Sequence, residues 1–149
     1  NPGPWAERIN ALTRLQDING TDLSAFNQRG GKLLMAHGTA DVLVSTRATA
    51  QYYERLKQTM GEAAVKNFAR YYEVPGYGHA ASTAFNANWD SLKALDQWVG
   101  SGAAPASQVV ADTAGVPGRT RPLCEYPAWP RYNGSGDVNK AESFSCVVN

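Results

Sequence analysis

Two short apolar runs flanking one amphipathic segment constrain this chain more than any other feature. Lys32-Leu33-Leu34-Met35-Ala36 is short and nearly continuous in apolar residues. That pattern predicts a strand of a parallel sheet, buried on both faces. From Thr46 to about Met60, Ala48, Tyr52, Leu56 and Met60 recur every four residues and predict a helix. Ser45 reads as its N-cap and Gly61 as its break. Phe68-Ala69-Arg70-Tyr71-Tyr72-Glu73-Val74 is aromatic and β-favouring, and it stops at Pro75-Gly76. Strand, helix and strand in this order form a βαβ unit, with parallel strands and a right-handed crossover.

The rest of the chain is arranged around that unit. Residues 1–29 are weakly patterned, with a short helix expected from Trp5 to about Leu15. A turn is expected at Asn19-Gly20-Thr21 and a helical turn over Asp22–Phe26. Residues 30–111 form the α/β part. They include a second helix over Trp89–Val99, with Trp89, Leu92, Leu95 and Val99 on one face, and a short strand at Gln108–Ala111. Residues 112–149 form a tail. Pro117, Pro122, Pro127 and Pro130 predict no regular structure there, and Tyr126, Trp129 and Tyr132 predict that it lies against a surface.

A βαβ unit alone leaves an uncovered sheet face and open edges. The chain therefore reads as the end of a larger α/β sheet. Its first residues, Asn1-Pro2-Gly3-Pro4-Trp5, contain no initiator Met and no signal-peptide pattern, so a processed chain or a piece of a longer one is expected. Fourteen Lys and Arg stand against 13 Asp and Glu, a formal net charge of +1. That balance removes the electrostatic reason to expect a nucleic-acid or anionic-membrane partner. Charged residues are 18% of the chain, below the roughly 25% of ordinary soluble domains. A low charge density fits a secreted protein or a largely covered surface.

Two residues stand where chemistry is expected. Asp41 lies five residues past the first strand and His79 five past the second. In open α/β sheets, ligands sit at the carboxyl edge of the strands. Adjacent strands are about 4.8 Å apart, so the two side chains can meet. A carboxylate that orients an imidazole is two-thirds of a Ser-His-Asp triad, and the chain order, Asp then His, is that of α/β-hydrolases. Taken singly, such an Asp is most often a cap or turn residue and such a His most often structural; their pairing at two strand ends is what favours chemistry. His37 reads as packing or loop hydrogen bonding. A metal site of His37, Asp41 and His79 matches no known ligand spacing. Cys124 and Cys146 are not a zinc framework, since no CxxC or nearby His accompanies them. No Gly-x-Ser-x-Gly occurs. Ser45 serves better as a cap, and Ser82 lies in no nucleophile elbow.

Several segments together resemble the tannase and feruloyl esterase family. They are Asp22–Phe26, Gly30-Gly31-Lys32-Leu33-Leu34, His37-Gly38 with Asp41, and Val74-Pro75-Gly76-Tyr77-Gly78-His79. The tail adds Arg121–Pro127, Tyr132, Gly134, Gly136-Asp137 and Ser143-Phe144-Ser145-Cys146. The resemblance covers roughly Asp22 to Cys146 and matches the family's carboxyl-terminal part. It implies the last parallel strands and helices of an α/β-hydrolase fold. It also implies a serine esterase acting on esters of aromatic acids, with Asp41 as triad acid and His79 as triad base. The nucleophile, oxyanion hole, lid and the lid's calcium site would lie upstream, so no cofactor is expected in this chain. Its partners would be the remainder of the same enzyme and a small aromatic ester.

The resemblance also implies a disulfide between Cys124 and Cys146, the alternative being two reduced buried cysteines. Such a bond would stabilise the fold by roughly 3 kcal/mol in the chain-entropy model and points to a secreted or periplasmic protein. Many family members carry a cysteine directly after the catalytic His, bonded to one beside the nucleophile. Here that residue is Ala80, so packing or other contacts must hold the His loop. Asn19-Gly20-Thr21 and Asn133-Gly134-Ser135 are glycosylation sequons, relevant only in a eukaryotic secretory host. A non-catalytic binding or scaffold module with the same fold is the competing reading. A different α/β-hydrolase is another, and the tail argues against it.

Overall fold

The computed structural model describes residues 2–148. Strands β1 (Leu33–Gly38) and β2 (Ala69–Val74) pair in parallel, with Leu33 opposite Ala69 and Gly38 opposite Val74. This register ends both strands side by side, so the loops that follow leave from the same edge of the sheet. Helices α1 (Ala6–Gln16) and α2 (Ser24–Gln28) precede β1.

The crossover from β1 to β2 contains two helices where the spacing predicts one. Helix α3 (Thr46–Met60) ends at Gly61, whose φ of 84° disfavours a side chain. The Gly61 N–H closes α3 on Lys57, and its carbonyl accepts the Val65 N–H of α4 (Glu62–Phe68). Phe68 therefore ends a helix and does not begin β2. Helix α3 buries Tyr53 and Leu56 and packs Met60 against the core, whereas Ala48 is exposed, so only the later part of the predicted stripe faces inward. The Ser45 side chain makes no capping bond. Instead the Thr46 hydroxyl donates to the Gly38 carbonyl at 2.7 Å and ties the helix start to the end of β1.

Two apolar clusters lie on opposite faces of β2. Tyr71 joins Tyr53, Leu56, Val65 and Phe68 on one side. Tyr72 and Val74 join Phe85, Val110 and Leu123 on the other. Alternate side chains of a strand point to opposite faces, and both faces of β2 are covered, which accounts for the two successive tyrosines, Tyr71 and Tyr72, both buried. Fully burying side chains of this size stabilises by about 1.5–3 kcal/mol each.

Helix α5 (Ser91–Ser101) is capped by the Asp90 carboxylate, which accepts the Lys93 N–H. Its buried face is Ala94 and Trp98, whereas Leu92 and Val99 are exposed. Trp89 precedes the helix and packs edge-on against Tyr72.

Regular structure also runs through the proline-rich tail, contrary to expectation. Strands β3 (Ala87–Asn88), β4 (Val109–Asp112) and β5 (Thr120–Pro122) form an antiparallel sheet. Strands β6 (Trp129–Tyr132) and β7 (Phe144–Val147) form a two-stranded antiparallel sheet. Pro130 is tolerated in β6 because an edge strand has positions whose N–H is not needed. The tail enters the core as well. Leu123 and Cys124 are buried, and the Tyr126 ring lies 5.2 Å from that of Tyr71. Cys124 and Cys146 are disulfide-bonded. Among the described residues, no helix is long and apolar enough to cross a membrane.

Candidate active site

The loops after β1 and β2 are stitched together before either presents a functional group. The Thr39 N–H donates to the Val74 carbonyl and the Ala40 N–H to the Tyr77 carbonyl, each at 3.0 Å. The Gly76 N–H donates to the Thr39 hydroxyl at 2.9 Å.

These bonds bring Asp41 and His79 together. The Asp41 carboxylate is almost wholly buried, its side chain only 5% exposed. Its Oδ1 accepts the backbone N–H groups of Leu43 and Val44, both at 2.9 Å. Its Oδ2 accepts Nδ1 of His79 at 3.0 Å and Nε2 of His37 at 3.1 Å. The Val44 N–H holds the carboxyl well below the usual range; His79, Leu43 and His37 add to this, against the opposing effect of burial. Asp41 is therefore ionised throughout the neutral range.

The His79 side chain is half exposed, and its Nε2 has no hydrogen-bond partner among the described residues. With Nδ1 donating to Asp41, Nε2 keeps the lone pair and can take up a proton. A cleft of about 440 Å³ runs past the pair, with Tyr77 and Trp89 in its wall. Phe85 is buried in the core below.

Hydrogen bonds hold the His79 loop at Ala80 and beyond. The Tyr77 hydroxyl donates to the Ala80 carbonyl at 2.7 Å. The Ser82 hydroxyl donates to the Gly76 carbonyl at 2.9 Å, and the Ser82 N–H donates to the Asn86 side chain at 3.1 Å. The Asn86 N–H then donates to Asp112 at 3.0 Å. Asp112 is fully buried at the end of β4. It also accepts the N–H groups of Ala114, Gly115 and Val116 and pairs with Arg119 at 2.6 Å. Burial alone would raise its carboxyl, but the backbone donors, led by Val116, hold it well below the ordinary range. Arg119 reaches onward to the Ala84 carbonyl.

Asp112 escaped the reading of the sequence. The available signal was Asp112-Thr113-Ala114-Gly115, an acidic residue opening a tight turn. Ser82 is committed to loop bonds, and no serine among the described residues hydrogen-bonds the His79 ring. No group of three or more His, Cys, Asp or Glu residues among them is arranged to hold a metal ion, including His37, Asp41 and His79.

Residues 3–147 match the family described as tannase and feruloyl esterase. The chain belongs to this family. It is 43% identical over 148 residues to an uncharacterized esterase of Agrobacterium fabrum, covering 98% of this chain and 27% of that protein. It is 44% identical over 134 residues to the mono(2-hydroxyethyl) terephthalate hydrolase of Piscinibacter sakaiensis, covering 86% of this chain and 22% of that protein. The crystal structure of feruloyl esterase B from Aspergillus oryzae superposes with a TM-score of 0.81 at 27% identity. That match covers 97% of this chain and 33% of the esterase chain. Membership of the tannase and feruloyl esterase family thus accounts for the α/β fold. The chain spans about a quarter of the length of these curated relatives.

Proposed function

We propose that this chain supplies the acid–base half of a serine esterase triad and is the carboxyl-terminal part of an α/β-hydrolase. The supporting observation is the 3.0 Å bond from His79 Nδ1 to Asp41 Oδ2, which leaves Nε2 free beside a cleft. In this reading a serine hydroxyl from the remainder of the same protein attacks the ester carbonyl and passes its proton to His79 Nε2. Asp41 stabilises the resulting imidazolium. When the tetrahedral intermediate collapses, His79 returns the proton to the departing alcohol. Water then repeats the sequence on the acyl-enzyme, and the acid is released. The oxyanion hole and lid also belong to the remainder. Exposed apolar residues such as Trp5, Leu15, Ile18, Val42 and Leu43 fit burial against it.

The substrate in this reading is an ester of an aromatic acid. Relatives named for feruloyl esters and for mono(2-hydroxyethyl) terephthalate support it, as do Tyr77 and Trp89 along the cleft. The disulfide fits a secreted or periplasmic protein. The test uses the full-length protein that carries this segment, assayed on methyl gallate, methyl ferulate and mono(hydroxyethyl) terephthalate. Hydrolysis of one ester, abolished in His79→Ala, is expected. Near-normal turnover in that variant would reject the triad. A folded protein that turns over none of the three would favour the binding-module reading.

A further inference from the structure

One imidazole at the site has no role in the proposed reaction. His37 lies within β1, and its side chain is 12% exposed against 51% for His79. Its two nitrogens are both engaged, Nε2 with Asp41 Oδ2 at 3.1 Å and Nδ1 with the Thr49 hydroxyl at 2.7 Å. A neutral imidazole has one donor and one acceptor nitrogen. An ionised carboxylate can only accept, so Nε2 carries the hydrogen and Nδ1 accepts from Thr49. The Asp41 carboxylate thereby selects the tautomer, and the Thr49 hydroxyl of α3 braces the other nitrogen of the ring.

We infer that His37, held by Thr49, is a positioning residue that fixes the plane of the Asp41 carboxylate for His79; this rests on the triad reading above. The Leu43 and Val44 N–H groups hold Oδ1; the carboxylate is one rigid plane, so rotation about its last bond moves both oxygens and is checked from both ends only when Oδ2 is held as well. The restraint at Oδ2 comes from its two imidazole donors. One of these, His79, is a half-exposed loop residue. The other is packed inside a paired strand and braced by a helix. His37 therefore sets the oxygen's position, and His79 meets an acceptor already in place.

The experiment uses the full-length protein with His37→Phe, His37→Gln and Thr49→Val. Gln places an amide N–H near the position of Nε2, and Thr49→Val removes one hydroxyl at constant shape. His37→Phe is expected to lower kcat roughly tenfold to a hundredfold, the scale of a misplacement of about 1 Å, with KM nearly unchanged. Gln should recover most of that loss, and Thr49→Val should cost a smaller factor in kcat. Proton NMR gives a second readout that needs no turnover. The Nδ1–H signal of His79, bonded to Asp41, should move or vanish in His37→Phe and return in His37→Gln. An unchanged signal, a loss confined to KM, or no rescue by Gln would overturn the inference. Retained turnover in His79→Ala would reject the triad reading, and the NMR comparison would still judge His37.

Discussion

Gly38 approaches the backbone of Tyr77 so closely that a β-carbon at residue 38 would stand 2.1 Å from the Tyr77 carbonyl oxygen. Side chains do not tolerate such a contact. The obstacle is backbone, so one of the two loops would have to move. This contact lies between the segments that carry Asp41 and His79.

Gly38→Ala should therefore separate the two loops. Overpacking of this kind costs about 1–3 kcal/mol, and here part of the damage falls on the Asp41–His79 bond. The expected outcome is a folded protein of lowered Tm whose kcat falls further than its stability loss explains. Thermal melts alongside ester hydrolysis by the full-length protein check this. Wild-type kcat in Gly38→Ala would show that the loops accommodate the methyl without disturbing the pair.

Asp41 links the site to pH. Its carboxyl is held below its ordinary value, first by the Val44 N–H. A depressed carboxyl contributes stability that is fully present above the unfolded value, about 3.9. That contribution is lost as pH falls through the lower folded value. Urea midpoints of wild type and Asp41→Asn should thus differ by a constant amount from about pH 5 to 8 and converge below about pH 4. Asp41→Asn should also lower kcat by several orders of magnitude, on the scale of about 10⁴-fold seen when a triad carboxylate becomes an amide. A midpoint difference that persists unchanged into strong acid would contradict the ionisation argument.

Asp112 anchors the His79 loop from outside the cleft, through Asn86 and Ser82. Removing its carboxylate strands the Arg119 guanidinium and the N–H groups of Asn86, Ala114, Gly115 and Val116. Asp112→Ala should lower Tm by about 4 °C or more and make residues 76–86 easier to cleave with protease. Ser82→Ala removes the bond to Gly76 and those from the Ala84 and Phe85 N–H groups and should have a smaller effect in the same direction. Limited proteolysis with mapping of the first cuts decides it. An unaltered cleavage pattern in Asp112→Ala would show that the loop is held elsewhere.

What could be read from the sequence followed from strong local patterns. β1, α3 and β2 were legible because an apolar run, a four-residue spacing and an aromatic run each have one good structural solution. Helix α4 was not, because Gly61 reads as a stop and its second use, as the start of a new helix, leaves no separate mark. β5 and β6 were hidden by Pro122 and Pro130, whose cost depends on which side of a strand their missing N–H faces. Asp41 and His79 could be singled out by their distance from strand ends. His37 on Asp41, and Asp112 behind the His79 loop, could not, because these contacts depend on β1–β2 register and on tertiary closure.

The disulfide is the last feature to test, and its consequence is local. Cys124 is buried against the core beside Leu123, and Cys146 lies in β7 opposite Pro130 of β6. The bond therefore ties the β6–β7 pair to the segment that runs beside Tyr72. It closes a sequence separation of 22 residues, for which the chain-entropy model gives roughly 3 kcal/mol. The paired change Cys124→Ser with Cys146→Ser should lower the full-length protein's unfolding free energy by about that amount. The bonds that hold the Asp41–His79 pair reach into the tail only as far as Asp112–Arg119, before β5 and Cys124, so kcat should stay within about twofold, a difference below about 0.5 kcal/mol in barrier height. Denaturant titration and ester hydrolysis on the same preparations separate the two effects. A large fall in kcat at full folding would show that the tail supports the site directly.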